Sequence, residues 1–268
     1  MLISGAGSGI GLETAIEAAR LGFRSVAAVH EPEQVGDVER AAAAAGVEVV
    51  TEVLDVTDDA HAAEVIDRAE PWALVNNAGY MNAGLIEDVP AGDALRQYEV
   101  MVVAPMRLVQ LVLPGMRRRG GGRIVNISSS AGEMSIPFQA WYDATKRAFS
   151  SLSDGLRAEL VRHAIEVVVV EPGAIATPLW DTARAELEAC RLRSVEPEAY
   201  DRALAALDEA TEHAADPAEV ARVVGEALHA GHPRFRYRVG PGSSAISAVA
   251  RLLPTSIRDR MTRSMGGL

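Results

Sequence analysis

The sequence has 268 residues, 49% of them hydrophobic, with a formal net charge of −11 and a single cysteine. This length is enough for one large hydrophobic core, and the acidic balance argues against a nucleic-acid-binding surface. With Cys190 alone, an intramolecular disulfide is excluded, and a reducing, cytoplasmic location is expected. The N-terminus lacks a signal-peptide pattern, and no run approaches the ~18 to 20 apolar residues of a membrane span, so we expect no integral membrane segment.

The first predicted element is a short strand that leads into a glycine-rich turn. Residues 1–4 are mostly apolar, Gly5, Gly9 and Gly11 follow in the order G-x-x-x-G-x-G, and residues 12–21 have helical spacing. A strand, a glycine turn and a helix together place backbone N–H groups and a helix N-terminus against a pyrophosphate. The pattern therefore predicts a dinucleotide phosphate site at the start of the chain.

The second predicted strand, residues 24–29, ends where such a fold contacts the adenosine ribose. His30 and Glu31 follow it, about 20 residues after the glycine turn. A carboxylate at this place favours NAD and a cation favours NADP. The sequence offers a carboxylate and a titratable ring together, and an ordinary solvated turn is equally consistent with the pair. The choice between NAD and NADP therefore stays open.

Strands alternate with helices along the rest of the chain. A run such as 165–170 is wholly apolar, as expected for a parallel strand buried on both faces. The alternation predicts a single α/β domain with a doubly wound, mostly parallel Rossmann-type sheet and ligands at the carboxyl ends of its strands. The periodicity places further strands at 47–54, 72–76, 123–128, 165–170 and 236–240, and helices at 38–45, 60–69, 95–119, 141–163 and across the charged residues 178–215.

Ser129, Tyr142 and Lys146 form the candidate catalytic group. Tyr142 and Lys146 are spaced i, i+4, so they lie on one face of a helix. A phenol has an ordinary pKa of about 10, and an ammonium one turn away lowers that pKa. The pair therefore predicts an acid/base that exchanges a proton with an alcohol or a carbonyl, and Ser129 is placed to hydrogen-bond the same oxygen. Alone, Y-x-x-x-K is typical of any amphipathic helix, so the prediction depends on its context.

Six motifs follow one another along the chain: SGAGSGIG, LDVTD, NNAG, GRIVNISSSAG, YDATK and EPGAIATP. In their order and spacings they resemble those of the short-chain dehydrogenase/reductase family, and the resemblance covers nearly the whole chain. The resemblance implies reversible hydride transfer between NAD(P)(H) and a small-molecule alcohol or ketone. It implies that Tyr142 is the acid/base, that Lys146 lowers its pKa and binds the nicotinamide ribose, and that Ser129 holds the substrate oxygen. More narrowly, the chain resembles the 17β-hydroxysteroid-dehydrogenase-like branch. The cofactor-binding residues expected at the strand ends and on the catalytic helix are Gly5, Ser8, Gly9, Ile10, Gly11, His30, Asp55, Val56, Asn77, Ala78, Gly79, Tyr142, Lys146, Pro172, Gly173, Ile175 and Thr177.

Two of the implied cofactor contacts have a structural alternative. The resemblance implies that Asp55 bonds the adenine and that Asn76, with Gly79, shapes the floor under the cofactor. Turn formation is the alternative role for Asp55 and Asn76. No metal site is expected, because His163 and His232 lack the spacing of metal ligands.

Three positions depart from the family pattern. Ser4 and Thr145 replace a threonine and a serine, and both keep a hydroxyl. Met101 stands where the family has an asparagine that positions a proton-relaying water, and methionine favours an uninterrupted helix. Losing that relay is expected to slow catalysis roughly ten- to a hundredfold. It also motivates an alternative, a regulatory or redox-sensing protein that binds a dinucleotide with weak or no catalysis, against which the intact catalytic group weighs. A sugar-nucleotide epimerase or dehydratase would need a larger substrate domain.

The segment 178–215 resembles the family's mobile substrate lid. Trp180, Met134 and Phe138 are candidates for an apolar pocket wall, and ordinary packing is an equally open interpretation of each. An apolar pocket suits a lipophilic alcohol or ketone. The apolar stripes of the helices at 95–119 and 141–163 suggest a homodimer or homotetramer, as the family implies.

The C-terminal residues 241–268 are predicted to form a helical extension. Its apolar positions have helical spacing and lie beside several arginines. A flap or interface on the substrate side is favoured over a membrane-surface helix. These apolar positions are Ile246, Val249, Leu253 and Ile257.

Overall fold

The computed structural model describes residues 1–243 and 254–268, and within them seven strands form one sheet. The strands lie in the order third, second, first, fourth, fifth, sixth, seventh, and every pairing is parallel. The predicted doubly wound α/β sheet is thus confirmed. The strands are β1 (Leu2–Ser4), β2 (Val26–Val29), β3 (Val50–Val53), β4 (Ala73–Asn76), β5 (Gly122–Ile127), β6 (Ile165–Pro172) and β7 (Arg236–Val239).

Helices link successive strands and cover both faces of the sheet. A π turn, Glu99–Val103, and a 3₁₀ turn, Ser130–Glu133, supplement them. The helices are α1 (Gly9–Arg20), α2 (Gln34–Ala44), α3 (Asp59–Ala69), α4 (Ala91–Tyr98), α5 (Ala104–Arg118), α6 (Ala140–Glu159), α7 (Leu179–Arg191), α8 (Pro197–Glu212), α9 (Pro217–His229) and α10 (Thr255–Met265).

The central strands are buried because both of their faces meet helices. All six residues of β5 and seven of the eight residues of β6 are buried. On one face, Ala15 of α1 and Val224 of α9 belong to the core with the strands, and on the other, Leu108 of α5 and Leu156 of α6 do so. Valine-rich runs suit such strands, since β-branched side chains pack well on a pleated surface.

The direction of chain progression reverses at β1, which lies between β2 and β4. In an open parallel sheet, a crevice opens at such a switch point outside the carboxyl ends of the strands. Ser4, Val29, Asn76 and Ile127 end β1, β2, β4 and β5 at this edge. The loops that follow these residues are therefore brought together.

The long helix predicted at 95–119 is interrupted by the π turn, where the Ala104 N–H bonds to the carbonyl of Glu99. Pro105 has no N–H and cannot bond to the carbonyl of Met101, four residues earlier. A wider turn accommodates the proline ring at this place. The expectation that Met101 favours an uninterrupted helix is wrong, because Pro105 determines the local geometry.

The combined helix Ala91–Arg118 is, among the described residues, the one long and apolar enough to cross a membrane by length and composition, with a mean hydropathy of 1.4. The sequence analysis did not identify it as such a run. Half of its most apolar stretch is buried inside the protein, where α5 packs against α3, β4 and β5. This burial in the core accounts for its apolar composition.

Two further segments lie over the carboxyl edge of the sheet. Helices α7 and α8 pack against each other, and they contribute Leu187 and Tyr200 to a third apolar cluster that also contains Tyr142. Helix α10 has no buried residue, and its Ile257 is exposed. The other apolar positions of the predicted C-terminal stripe, Ile246, Val249 and Leu253, lie outside the described residues.

Candidate active site and cofactor cleft

A cavity of about 690 Å³, here called the cleft, runs along the carboxyl ends of the strands and under α7 and α8. It contains every predicted cofactor-binding residue except Gly11, together with Ser129. Gln34 and Arg96 are among its lining residues that the sequence did not point to. The residues predicted from their positions at strand ends therefore lie together, although they are spread over more than 170 positions of the chain.

The glycine turn has no room for side chains. Gly5 has φ +64°, and a Cβ there would lie 2.6 Å from Cα of Ala78. Gly9 has φ +53°, and its Cβ would lie 2.9 Å from the Thr177 methyl group. Gly11 does not line the cleft as predicted, because it packs behind the turn, where a Cβ would meet the Gly5 carbonyl at 2.3 Å.

Ser4 and Asn77 hold the glycine turn and the NNAG segment together. The Ser4 hydroxyl accepts the backbone N–H groups of Asn77 and Ala78 at 3.1 and 3.2 Å. The Asn77 side-chain amide donates to the carbonyls of Ser4 and Gly5 at 3.1 and 2.9 Å. The hydroxyl that Ser4 retains therefore has a structural function in shaping the cleft.

Asp55 lines the cleft and also forms its own turn. Its Oδ1 accepts the N–H of Thr57 at 2.9 Å and the Thr57 hydroxyl at 2.7 Å. Partial burial opposes ionisation, but these hydrogen bonds, with the nearby His30 and Arg96, leave the pKa of Asp55 below its ordinary value. Asp55 is thus an ionised carboxylate that lines the cleft and forms its own turn, and its bond to the adenine stays a prediction.

Asn76 does not lie in the floor of the cleft, which corrects the sequence prediction. Its side chain points into the core, where it donates to the Asn126 side-chain oxygen at 2.9 Å. Side chains alternate between the faces of a strand, so Asn76 at the end of β4 faces β5 and the helices, whereas Asn77 after it faces the cleft.

Tyr142 and Lys146 lie together at the centre of the cleft. The Lys146 Nζ is 5.6 Å from the centroid of the Tyr142 ring and donates to the Ile127 carbonyl at 2.9 Å. The Ser129 side chain hydrogen-bonds with Tyr142, and it also accepts the Ala131 N–H at 3.1 Å. The three residues predicted from spacing therefore form one contiguous group.

The protonation of this group differs from the prediction. Burial raises the pKa of Tyr142 far above its ordinary value of about 10, against the lowering effect of the Ser129 hydrogen bond, and the charge of Asp143 adds to the increase. Burial lowers the pKa of Lys146 to about 8. The predicted lowering of the tyrosine pKa by the ammonium is wrong for the protein alone, because the loss of water raises this pKa more than the Ser129 hydrogen bond lowers it.

Met101 lines the cleft beside Gly79, where a Cβ would lie 3.2 Å from the Met101 methyl carbon. Gln97, one turn earlier, is fully buried and donates to the Tyr80 carbonyl at 3.2 Å and to the Met101 sulfur at 3.7 Å. Its Oε1 has no hydrogen-bond partner within the part of the chain that the structure describes. The sequence does not single out Gln97 as a buried residue beside Met101, because glutamine is an ordinary residue in a helix.

The part of the cleft under α7 and α8 is apolar and is here called the substrate pocket. Its lining includes Met134, Phe138, Trp180, Leu187 and Leu207, so all three predicted wall residues contribute. Phe138 has φ +68°, a strained conformation for an aromatic residue, and its ring packs edge-on against Tyr200. The C-terminal Met265 and Gly266 also line this region.

The cleft fits a dinucleotide. The turn of Gly5 and Gly9 cannot hold side chains and precedes the N-terminus of α1, which is the arrangement that accepts a pyrophosphate. The cleft then continues past Asp55 on one side and to Lys146 and Thr177 on the other. These residues match the two ends of a dinucleotide across a switch point.

Comparisons with known proteins agree with this geometry. The sequence model of the family described as short chain dehydrogenase matches residues 1–188. An oxidoreductase of Bacillus subtilis, YusZ, is 32% identical over 95% of this chain and 94% of its own length. A solved structure of a Burkholderia phymatum short-chain dehydrogenase/reductase in complex with NAD is similar, with a TM-score of 0.81 and 28% identity, and the match covers 97% of this chain and 94% of that one. An actinorhodin polyketide ketoreductase with NADPH is also similar, with a TM-score of 0.74 and 30% identity, and the match covers 90% of this chain and 95% of that one. The chain therefore belongs to the short-chain dehydrogenase/reductase family and is an NAD(P)-dependent oxidoreductase.

Proposed function

We propose that this enzyme interconverts a lipophilic alcohol and the corresponding ketone, with Tyr142 as its acid/base. The observation that carries the proposal is the position of the Ser129, Tyr142 and Lys146 group, inside one cavity that joins the dinucleotide cleft to the substrate pocket. Nothing else in the cleft combines a hydroxyl pair with a titratable amine in this way among the described residues.

The bound nicotinamide supplies or accepts the hydride, and the protein residues handle the proton. The hydroxyls of Ser129 and Tyr142 form a pair that holds the substrate oxygen. Tyr142 then donates its phenolic proton to a carbonyl during reduction, or takes a proton from an alcohol during oxidation. A bound dinucleotide would be held at its adenosine and phosphate parts by Gly5, Gly9 and Asp55. Its nicotinamide end would be held by Pro172, Gly173 and Thr177.

Lys146 has the position and the protonation to support Tyr142. Its hydrogen bond to the Ile127 carbonyl fixes the amine beside the phenol ring. An amine with a pKa of about 8 exchanges protons near neutral pH. Lys146 is therefore suited to replace the proton that Tyr142 donates to the substrate.

The substrate pocket supports a lipophilic substrate. Met134, Phe138 and Leu187 are buried apolar residues in its wall, and the Trp180 indole N–H is already bonded to the Ile175 carbonyl at 2.7 Å. The wall of the pocket beyond the catalytic hydroxyls thus offers mainly apolar contact. A steroid, a retinoid or a fatty ketone matches this chemistry, in line with the 17β-hydroxysteroid-dehydrogenase-like resemblance, and residues 178–215 would act as the lid.

Two further proposals concern the whole molecule. The exposed apolar residues Leu95, Val103 and Leu152 on α4, the π turn and α6 support a homodimer or homotetramer. The free, buried thiol of Cys190 is consistent with a cytoplasmic location. The regulatory alternative, a dinucleotide-binding sensor without catalysis, gains no support from the relatives, which are named as oxidoreductases and reductases.

The test is a screen of NADH and NADPH absorbance over steroid, retinoid and fatty carbonyl compounds, with Tyr142→Phe and Tyr98→Phe as a matched pair. Tyr98 is a tyrosine outside the cleft. We expect wild-type turnover on at least one lipophilic carbonyl, a loss of about a hundredfold or more in Tyr142→Phe, and unchanged activity in Tyr98→Phe. Binding of a dinucleotide without turnover on any compound would refute the proposal and favour the sensor, and full activity in Tyr142→Phe would refute the assigned role.

A further inference from the structure

The side chain of Gln34 lies at the adenosine end of the cleft and takes no part in the proposed proton transfer. It is the first residue of α2 and lines the cleft. Its Oε1 accepts two backbone N–H groups, those of His30 and Glu31, both at 3.1 Å. The two donors that follow β2, at the place where such folds meet the ribose, are therefore already used by a neutral side chain.

The Gln34 carboxamide also occupies the space beside the glycine turn. A Cβ added to Gly7 would lie 2.6 Å from the Gln34 Cδ and 2.7 Å from both its Nε2 and its Oε1. The amide group is thus seated against the backbone of the turn, between the turn and the end of β2. Gly7 does not have a positive φ, so at this position it is the Gln34 side chain, and not the backbone conformation, that limits the space for a side chain.

The charges around Gln34 do not favour a phosphate dianion. The His30 ring is 3.2 Å from the Glu31 carboxylate, so this ring already has an acidic partner. Within the described residues, the other basic side chains of the cleft are Arg96, which lies near Asp55, and Lys146 at the catalytic end. A 2′-phosphate beside Gln34 would meet the Glu31 charge.

We propose that Gln34 determines the choice of dinucleotide, because its carboxamide fills the subsite that a 2′-phosphate requires and leaves room and polarity for a ribose 2′-hydroxyl. The cleft therefore prefers NAD(H) over NADP(H). This inference rests on the proposed function only in that the cleft binds a dinucleotide, and it does not depend on the substrate. Removing the carboxamide frees the N–H groups of His30 and Glu31, which are donors that a phosphate can use.

The test measures dissociation constants for NADH and NADPH by nicotinamide fluorescence with the full-length protein. We expect wild-type protein to bind NADH at least about tenfold more tightly than NADPH. In Gln34→Ala, the preference for NADH over NADPH should decrease at least about fivefold, which corresponds to the free energy of one hydrogen bond. Tighter NADPH binding should account for most of the change. Gln34→Glu keeps an acceptor for both N–H groups but adds a charge, so it should widen the ratio. Gln110→Ala, which removes an exposed glutamine of α5, is the matched control and should leave the ratio unchanged.

Each contrary result has a distinct meaning. Tighter wild-type binding of NADPH than of NADH, or an unchanged ratio in Gln34→Ala, overturns the role of Gln34 while the dinucleotide site stands. Failure to bind either dinucleotide overturns both this inference and the proposed function. Binding with the expected ratios but without turnover on any carbonyl overturns the proposed function alone.

Discussion

Asp143 is a buried carboxyl group next to Tyr142, the proposed acid/base, and replacing it with asparagine should stabilise the protein at alkaline pH. Its side chain is 1% exposed. Oδ2 accepts the Ile136 N–H at 2.7 Å, and Oδ1 has no hydrogen-bond partner among the residues the structure describes. Burial raises the pKa of Asp143 from 3.8 to about 8, against the lowering effects of the Ile136 hydrogen bond and of Arg147.

The sign of the pH dependence follows from linkage. An acid whose folded pKa is raised keeps its proton in the folded state between about pH 4 and pH 8, while the unfolded chain has lost it. The stability of the wild type therefore falls as the pH rises through this window, and the penalty is complete above about pH 8. The full shift of Asp143 corresponds to at most about 6 kcal/mol, and one unsatisfied buried oxygen costs about 1–3 kcal/mol, so we take the smaller range as the expected gain.

The assay is urea unfolding of the wild type and Asp143→Asn at pH 5, 7 and 9. The asparagine retains an acceptor for the Ile136 N–H and does not titrate. Its advantage should increase with pH and reach about 1–3 kcal/mol at pH 9. Asp67→Asn, at an exposed position of α3, is the control and should show no pH-dependent difference. An advantage of equal size at pH 5 and pH 9, or a less stable variant at pH 9, would refute the reasoning.

Two further predictions concern the cleft. Ser4→Ala leaves the N–H groups of Asn77 and Ala78 without their acceptor, so it should lower the free energy of unfolding in urea by about 1–3 kcal/mol and weaken NADH binding in a fluorescence titration. Ser4→Thr keeps the hydroxyl and should behave like the wild type in both assays; equal behaviour of the two variants would contradict the role of the hydroxyl. Met101→Asn places an amide beside the unpartnered Oε1 of Gln97 and should raise turnover roughly ten- to a hundredfold, measured as kcat on an accepted ketone, while Met101→Leu should not; no gain on any accepted substrate would contradict the relay.

The sheet and the placement of Lys146 beside Tyr142 could be predicted because both depend on local patterns. The valine run of β6 is apolar at nearly every position, and only a strand with helices on both faces buries it fully. The i, i+4 spacing of Tyr142 and Lys146 fixes their relative placement in any helix. The strand-end rule then collected Gly5, Asp55 and Thr177 without any knowledge of distances.

The errors and omissions have different causes. The direction of the Asn76 side chain depends on its pairing with Asn126 of β5, 50 residues later in the chain. The contact of Gln34 with the backbone three and four residues earlier is local, but nothing in the residue types there points to it. Part of the π turn can be predicted from the sequence, because Pro105 lies four residues after Met101 and has no N–H to continue the helix. The helix propensity of methionine alone does not indicate this break. The protonation of Tyr142 was misjudged because spacing reports a neighbouring charge and does not report how much water is lost.

The opposite pKa shifts of Tyr142 and Lys146 bear on the direction of catalysis. Burial keeps the proton on the phenol and lowers the pKa of the Lys146 amine to about 8. Reduction of a carbonyl needs a protonated Tyr142, whereas oxidation of an alcohol needs its phenolate. Ionisation of Asp143 raises the tyrosine pKa further, so a moderately alkaline medium does not release the phenolate either. In the proposed mechanism these pKa shifts favour Tyr142 as a proton donor, which is the role that carbonyl reduction requires.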